Sequence, residues 1–269
     1  MTEITGRYAT VRGVKAYYDS CGEGECILML HTAGRDARQW HGVMEKMGGK
    51  FRMIAPDLPG HGRSWPLAGN TCLEEIGEIA QWLRELLTEI GVTRFGVIGC
   101  SLGGNLALLM PALFKEIWGA VSMQGGILTP AWSQAGLDLF VHPQINWMHA
   151  NMDVSMSLMG SKCAPEGRDY NAWTVLTINP FALKADLTAF SSSDTGGRMK
   201  DVTCPMLLVH GSEDWIVPRS MVDEACAALV NAVDPRVVSI PGIGHFPHLE
   251  APAEVAAIAL PFFEAAAAR

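Results

Sequence analysis

Apolar residues along this chain follow two alternating rhythms. Short, nearly continuous apolar runs occur at 26–30, 51–55, 95–98, 117–121, 206–209 and 236–240. Runs of this length suit strands buried on both faces, as in a largely parallel sheet. Ahead of them, 8–11 and 14–18 flank Arg12-Gly13 and read as an antiparallel hairpin. Between the runs lie segments with helical spacing. The clearest is 72–90, where Leu73, Ile76, Ile79, Ala80, Leu83, Leu86, Leu87 and Ile90 form one stripe and Glu74, Glu75, Glu78, Arg84 and Glu85 lie opposite. Thr71 and Glu74 have capping-box spacing at its start, and Gly91 supplies a stop. Further helices are expected at 102–114, 221–230 and 254–267, the last kinked or started late by Pro261. Strand and helix in alternation imply an α/β fold, a parallel sheet covered on both faces.

One stretch breaks the rhythm. Residues 126–200 contain no clear buried strand but carry Trp132, Trp147, Trp173, Phe140, Phe181, Phe190, Met148, Met152, Met156 and Met159. This reads as a helical insertion between two strands of the sheet. It divides the chain into a core of 1–125 and 201–269 and an insertion of 126–200.

Composition narrows the partners. A chain of 269 residues, 49% hydrophobic and 18% charged, suits one well-buried globular domain. A net charge of −8 argues against nucleic acid and against anionic membranes. Residues 1–13 hold no apolar run fit for a signal peptide, and no run reaches the length of a membrane span. The seven cysteines, Cys21, Cys26, Cys72, Cys100, Cys163, Cys204 and Cys226, are scattered and contain no C-x-x-C pair. That usage fits a reducing cytoplasm and no zinc site. A small-molecule substrate is the expected partner. The oligomeric state stays open, and a homodimer is compatible with the sequence.

The chemistry is concentrated in three loops. Gly99-Cys100-Ser101-Leu102-Gly103 follows the run 95–98 and opens a helix, the strand-turn-helix setting that G-x-S-x-G needs. The sharp turn lifts the serine oxygen clear of the sheet, and the helix start aims free N–H groups at a developing oxyanion. Alone this signal is weak, because glycine fills 28 of the positions and a serine can fall in a glycine-rich turn by chance. Asp214 follows the run 206–209, and His245, between Gly244 and Phe246-Pro247, follows 236–240. Either could be an ordinary turn residue. Ser, Asp and His in that order, at three strand ends, make coincidence a poor account. Glu213 and His248 are the nearest rival acid and base. Cys100 reads as a side chain packed beneath the turn.

With these motifs the sequence resembles the α/β-hydrolase superfamily, in the group with a cap between the sixth and seventh strands. The likeness spans nearly the whole chain outside 126–200. It includes Ile54-Ala-Pro-Asp57-Leu-Pro-Gly-His61-Gly-Arg-Ser64, the loop after the fourth strand, and 28–34, running into the loop after the third. The resemblance implies an α/β-hydrolase fold: a mostly parallel eight-stranded sheet, helices on both faces and a helical cap insertion. It implies Ser101 as nucleophile, His245 as general base, Asp214 as its orienting acid, and the N–H groups of Ala33 and Leu102 as the oxyanion hole. Relatives usually read His-Gly where this chain reads His31-Thr32; Thr32 in the glycine's place either alters the loop backbone or sets a hydroxyl near the substrate, which makes it a candidate substrate contact. Asp57 and His61 are expected to be structural. Serine at the elbow separates the chain from dehalogenases and epoxide hydrolases, which use aspartate there.

Substrate contacts are harder to read. Arg35, Arg38 and Gln39 form most simply a solvated helix start; a sharper reading has Arg35 or Arg38 hold a substrate carboxylate bidentately. Trp132, Trp147, Trp173 and Trp215 are candidate pocket residues, though each could equally serve a local core. The expected reaction is hydrolysis of a small, partly apolar ester or lactone through an acyl-enzyme, with no cofactor and no metal. The same triad could cleave an amide or a carbon–carbon bond, or act as a lyase. A ligand-receptor role with weak turnover is a further alternative.

Overall fold

The computed structural model describes residues 3–129, 131–193 and 195–269. Met1 and Thr2 at the chain start, and Pro130 and Asp194 within 126–200, lie outside the described residues. Eight strands form one sheet in the order β1-β2-β4-β3-β5-β6-β7-β8. They are β1 (Thr5–Val11), β2 (Val14–Cys21), β3 (Cys26–Leu30), β4 (Arg52–Pro56), β5 (Phe95–Cys100), β6 (Ile117–Met123), β7 (Pro205–Gly211) and β8 (Val233–Ile240). β1 and β2 form the expected antiparallel hairpin around Gly13, which takes φ 79°. β2 is antiparallel to β4, and every later pairing is parallel.

Burial on both faces explains the continuous apolar runs of the inner strands; the run 236–240 differs, because β8 is the edge strand and of its residues only Ile240 is buried. In β3, Cys26, Leu28 and Leu30 enter one core while Ile27 and Met29 enter the other. In β7, Met206 and Leu208 divide from Leu207 and Val209 in the same way. Helices α2 (Ile76–Glu89), α3 (Leu102–Leu113) and α8 (Arg219–Ala228) cover the first face. Helices α1 (His41–Met47) and α10 (Pro252–Ala267), the latter preceded by the single turn α9 (Pro247–Glu250), cover the second. α10 runs through Pro261 without a break.

The start of α2 differs from the capping-box expectation. Thr71 pairs with Leu67 in an isolated antiparallel bridge, and its hydroxyl donates to the Ala68 carbonyl at 3.2 Å. With that hydroxyl engaged, the helix begins later, after the extended Glu75. The stop is as expected. Gly91 takes φ 76°, its N–H donates to the Thr88 carbonyl at 3.0 Å and the Val92 N–H to the Leu87 carbonyl at 2.8 Å, a Schellman closure.

Between β6 and β7 the described residues of 126–200 form four helices: α4 (Gln134–Leu139), α5 (Trp147–Ser157), α6 (Pro165–Val175) and α7 (Pro180–Ser191). A 3-10 turn at Gly196–Asp201 leads back to the sheet. No described helix is long and apolar enough to cross a membrane.

Strand order places the site. The chain runs from β3 outward to β4, then returns to lay β5 against the other side of β3. This reversal opens a crevice at the carboxyl ends of β3 and β5, where open α/β sheets bind ligands. Leu30 pairs with Gly99 in that register, so the loop after β3 and the turn after β5 are neighbours.

Candidate active site

Ser101 sits in the turn between β5 and α3 with φ 57° and ψ −116°, a backbone that non-glycine residues seldom adopt. Its N–H donates to the Met123 carbonyl at 2.9 Å, which ties the turn to β6. The flanking glycines are a steric requirement. A Cβ at Gly99 would lie 2.1 Å from the Gly103 oxygen, and one at Gly103 would lie 2.3 Å from the Leu30 oxygen. Cys100 points away beneath the turn, fully buried, and its thiol donates to the His245 carbonyl at 3.2 Å.

Asp214 and His245 leave the carboxyl ends of β7 and β8 and meet there. His245 Nδ1 lies 2.6 Å from Asp214 Oδ2. The other carboxylate oxygen accepts the N–H groups of Ile216 at 2.8 Å and Val217 at 3.2 Å. Burial opposes ionisation of Asp214, but the His245 charge and these donors outweigh it and hold the carboxyl below its ordinary pKa. His245 Nε2 has no hydrogen-bond partner among the described residues, and His245 lines a cavity together with Ser101.

The rival acid and base fall elsewhere. Glu213 is turned outward, accepting from the N–H of Ser161 at 2.6 Å and its hydroxyl at 2.7 Å. His248 is buried against Trp40, ring centroids 4.6 Å apart, and burial pushes its pKa down to about 3.

The cavity encloses about 260 Å³. Its floor includes Thr32, Ala33, Ser101 and His245, and its walls come largely from 126–200, with Trp132, Phe140 and Trp147 among them. Trp173 and Trp215 do not line it. Trp173 is 46% exposed and stacks under the Arg38 guanidinium at 4.7 Å. Trp215 is 60% exposed and donates from its indole N–H to the Ser157 carbonyl at 3.2 Å. Arg38 is likewise occupied outside the cavity. Its Nε donates to Asp36 Oδ1 at 2.8 Å and its Nη2 to Thr177 Oγ1 at 3.2 Å. Arg35 lines the cavity and is 4% exposed, so neither arginine is simply a solvated helix start.

The loop after β3 has an unusual pattern of used and unused amides. Thr32 donates both its N–H and its hydroxyl to Gln39 Oε1 at 3.1 Å. The Gly34 N–H donates to Asp186 Oδ2 at 2.8 Å, and the Arg35 N–H to the Thr32 carbonyl at 3.1 Å. The Ala33 N–H between them donates to no acceptor among the described residues, nor does the Leu102 N–H in the first turn of α3. Thr32 in the common glycine position therefore anchors the loop through Gln39.

Two buried carboxylates that sequence reasoning passed over hold this arrangement. Asp186, on α7, takes the Gly34 N–H and lies 2.8 Å from His61 Nε2. The second His61 nitrogen faces the Pro59 carbonyl at 3.1 Å, so both ring N–H groups have acceptors. Burial would lower the His61 pKa, yet Asp186 raises it above the ordinary histidine value. Asp57 accepts from the N–H groups of Ala37 and Arg63, each at 2.8 Å, as its structural reading requires. Glu250 accepts the N–H groups of Gly160 at 2.7 Å, Gly244 at 3.0 Å and Phe246 at 2.9 Å. It thereby clamps the loop carrying His245 to the segment after α5, where the Leu158 carbonyl accepts the His245 N–H at 2.8 Å.

Comparison with known proteins follows the same lines. A profile described as the alpha/beta hydrolase family matches residues 27–258. A pimeloyl-[acyl-carrier protein] methyl ester esterase of Nitrosomonas europaea is 28% identical over 250 residues, covering 88% of this chain and 94% of that protein. A 2-hydroxy-6-oxo-6-phenylhexa-2,4-dienoate hydrolase of Burkholderia cepacia is 24% identical over 281 residues, covering 93% of this chain and 94% of that one. Among solved structures, the enol-lactonase of Burkholderia xenovorans LB400 superposes with a TM-score of 0.85 at 18% identity, covering 96% of this chain and 100% of that chain.

Proposed function

Because the chain belongs to the α/β hydrolase family, we propose that it hydrolyses a carboxylic ester or lactone of a small, partly apolar substrate through an acyl-enzyme on Ser101. The observation that carries this reading is the cavity shared by Ser101 and His245, with the His245 ring held at 2.6 Å by Asp214. Asp214 fixes the tautomer in which Nδ1 carries a proton, so Nε2 is free to take the Ser101 proton as the oxygen attacks the carbonyl. The unclaimed amides of Ala33 and Leu102 take the oxyanion. Collapse of the tetrahedral intermediate expels the alcohol, which leaves with the proton from His245. Water then attacks the acyl-serine by the same path, releasing the acid and restoring Ser101.

The helices of 126–200 serve as a cap. Their apolar side chains wall the cavity and exclude water from a site where electrostatic stabilisation of the oxyanion depends on dryness. Seven unpaired thiols support the reducing cytoplasm as the compartment. Resemblance to the Burkholderia cepacia enzyme over most of the chain favours carbon–carbon hydrolysis by the same residues as the second reading.

Turnover of p-nitrophenyl acetate by purified protein tests the proposal. Wild-type protein should release nitrophenolate, and Ser101→Ala should fold normally but lose roughly 10³-fold or more in kcat. Undiminished turnover in Ser101→Ala, or no turnover of any ester, lactone or amide by the wild type, would contradict it.

A further inference from the structure

Among the described residues, Arg35 is a buried cation without a counter-ion. It is 4% exposed, and among the described residues no carboxylate pairs with it; the adjacent Asp36 is engaged by Arg38. Its Nη2 donates to two neutral groups on the cap, Ser155 Oγ at 2.6 Å and Asn171 Oδ1 at 3.3 Å. Its Nη1 is buried with no acceptor among the described residues. Asn151, 9% exposed on α5, likewise leaves Nδ2 buried with no acceptor. Arg35, Asn151 and Ser155 line the same cavity as Ser101 and His245. Burial lowers the Arg35 pKa to about 10, which still leaves it charged at neutral pH.

A buried unpaired charge and an unsatisfied buried donor are both costly, and native proteins rarely keep either without a use. The cavity therefore has two polar demands: an oxyanion at Ser101, and a negatively charged acceptor on the wall formed by Arg35 and Asn151. Residues such as Trp132, Leu139, Phe140 and Leu183 make the remaining surface apolar. A ligand that meets both demands carries its anion on a hydrocarbon chain. A carboxylate, planar with two acceptor oxygens, fits a guanidinium and an amide; a phosphate would ask for more donors than this wall offers.

We propose that Arg35, assisted by Asn151, binds an ionised carboxylate on the substrate, so that the ester or lactone opened at Ser101 belongs to an acidic molecule. The inference rests on the hydrolase reading for its reaction but not for its binding site. The same contacts could instead serve only to tie the loop after β3 to α5 and α6. A purely structural arginine would not discriminate between charged and neutral substrates, and that separates the two roles.

The test compares p-nitrophenyl half-esters of succinic, glutaric, adipic, pimelic and suberic acids with the neutral p-nitrophenyl esters of straight-chain acids of equal length. A parallel arm uses O-acetyl ω-hydroxy acids, which put the carboxylate on the alcohol side. In one arm, wild-type protein should favour the acidic member by about tenfold or more in kcat/KM at its best length, the scale of a hydrogen bond to a charged group. Arg35→Met should collapse that ratio toward one, and Asn151→Ala should lower it in the same direction, which keeps the test alive if Arg35→Met fails to fold. Equal kcat/KM for acidic and neutral esters in both arms, or an Arg35→Met loss that leaves the ratio intact, would overturn the proposal. Calorimetric binding of monomethyl half-esters and methyl monocarboxylates to Ser101→Ala reads the site without turnover. Selective binding of the half-esters by a protein whose wild type hydrolyses nothing would keep the anion site and remove the hydrolase reading. Turnover without selectivity in either measurement would do the reverse.

Discussion

Two buried histidine–aspartate pairs lie above the carboxyl edge of the sheet, His245–Asp214 at 2.6 Å and His61–Asp186 at 2.8 Å. Both aspartates also accept backbone N–H groups, two from the Asp214 loop itself and one from Gly34 for Asp186. The pairs differ at the other ring nitrogen. In His245 it has no partner among the described residues and shares the cavity with Ser101, whereas in His61 it faces the Pro59 carbonyl. On the proposed mechanism the first ring is the general base, a role that needs one nitrogen open toward the nucleophile. The second has acceptors for both N–H groups, which stabilises its charged form and makes it a fastener between the loop after β4, the loop after β3 and α7. Proximity of histidine to aspartate does not by itself define a catalytic pair; the group facing the second nitrogen does.

Breaking each pair should therefore damage different properties. Asp214→Asn should lower kcat by around 10⁴-fold through the wrong tautomer, as in serine proteases, with a small change in unfolding midpoint. Asp186→Asn should keep most activity but cost about 3–5 kcal/mol, because it strands a buried charge. Steady-state kinetics and denaturant unfolding on both variants decide this. If the Asp186 variant is the inactive one and the Asp214 variant the unstable one, the distinction is wrong.

A smaller effect sharpens the contrast through pH. His61 has a raised pKa in the folded chain, so its contribution to stability is complete below the ordinary histidine range, about 6.5. It is lost as pH rises through the folded value. The stability gap between wild type and Asp186→Asn should accordingly narrow from mildly acidic to alkaline pH. Activity should run the other way, falling on acidification because an imidazole base works only in its neutral form, while Asp214, held below its ordinary pKa, keeps its charge. Unfolding curves and rate profiles over the same pH series should thus slope in opposite directions. A gap that widens with pH would show that His61 is not held as the imidazolium.

The difference between the pairs also explains what the sequence revealed. Ser101, Asp214 and His245 each follow a strand, buried for β5 and β7 and partly exposed at the sheet edge for β8, in a glycine-marked loop, so local pattern and chain order were enough to single them out. His61 was visible within its loop, but its partner Asp186 lies 125 positions away on a helix, and nothing in the local pattern joins them. Glu250 belongs to no motif in the sequence; only the folded chain shows three amides converging on its carboxylate. The four tryptophans divided evenly, Trp132 and Trp147 lining the cavity and Trp173 and Trp215 turned to the outside. For Trp147 and Trp173 that depends on how α5 and α6 rotate about their axes, and those helices lack the one-sided apolar stripe that makes α2 readable; Trp132 and Trp215 stand in loops, where no periodicity sets a direction. The capping-box spacing at Thr71 misplaced the start of α2 because a tight local turn, with a bridge to Leu67 and the hydroxyl bonded to the Ala68 carbonyl, had already engaged that residue.

The central claim, that Ser101 is an activated nucleophile, is tested most directly by peptide mass mapping after treatment with an alkyl fluorophosphonate. The account predicts a single phosphonyl adduct on Ser101, appearing in step with the loss of ester turnover, and greatly slowed in Asp214→Asn. Complete inactivation with the adduct on another residue and Ser101 unmodified would contradict it.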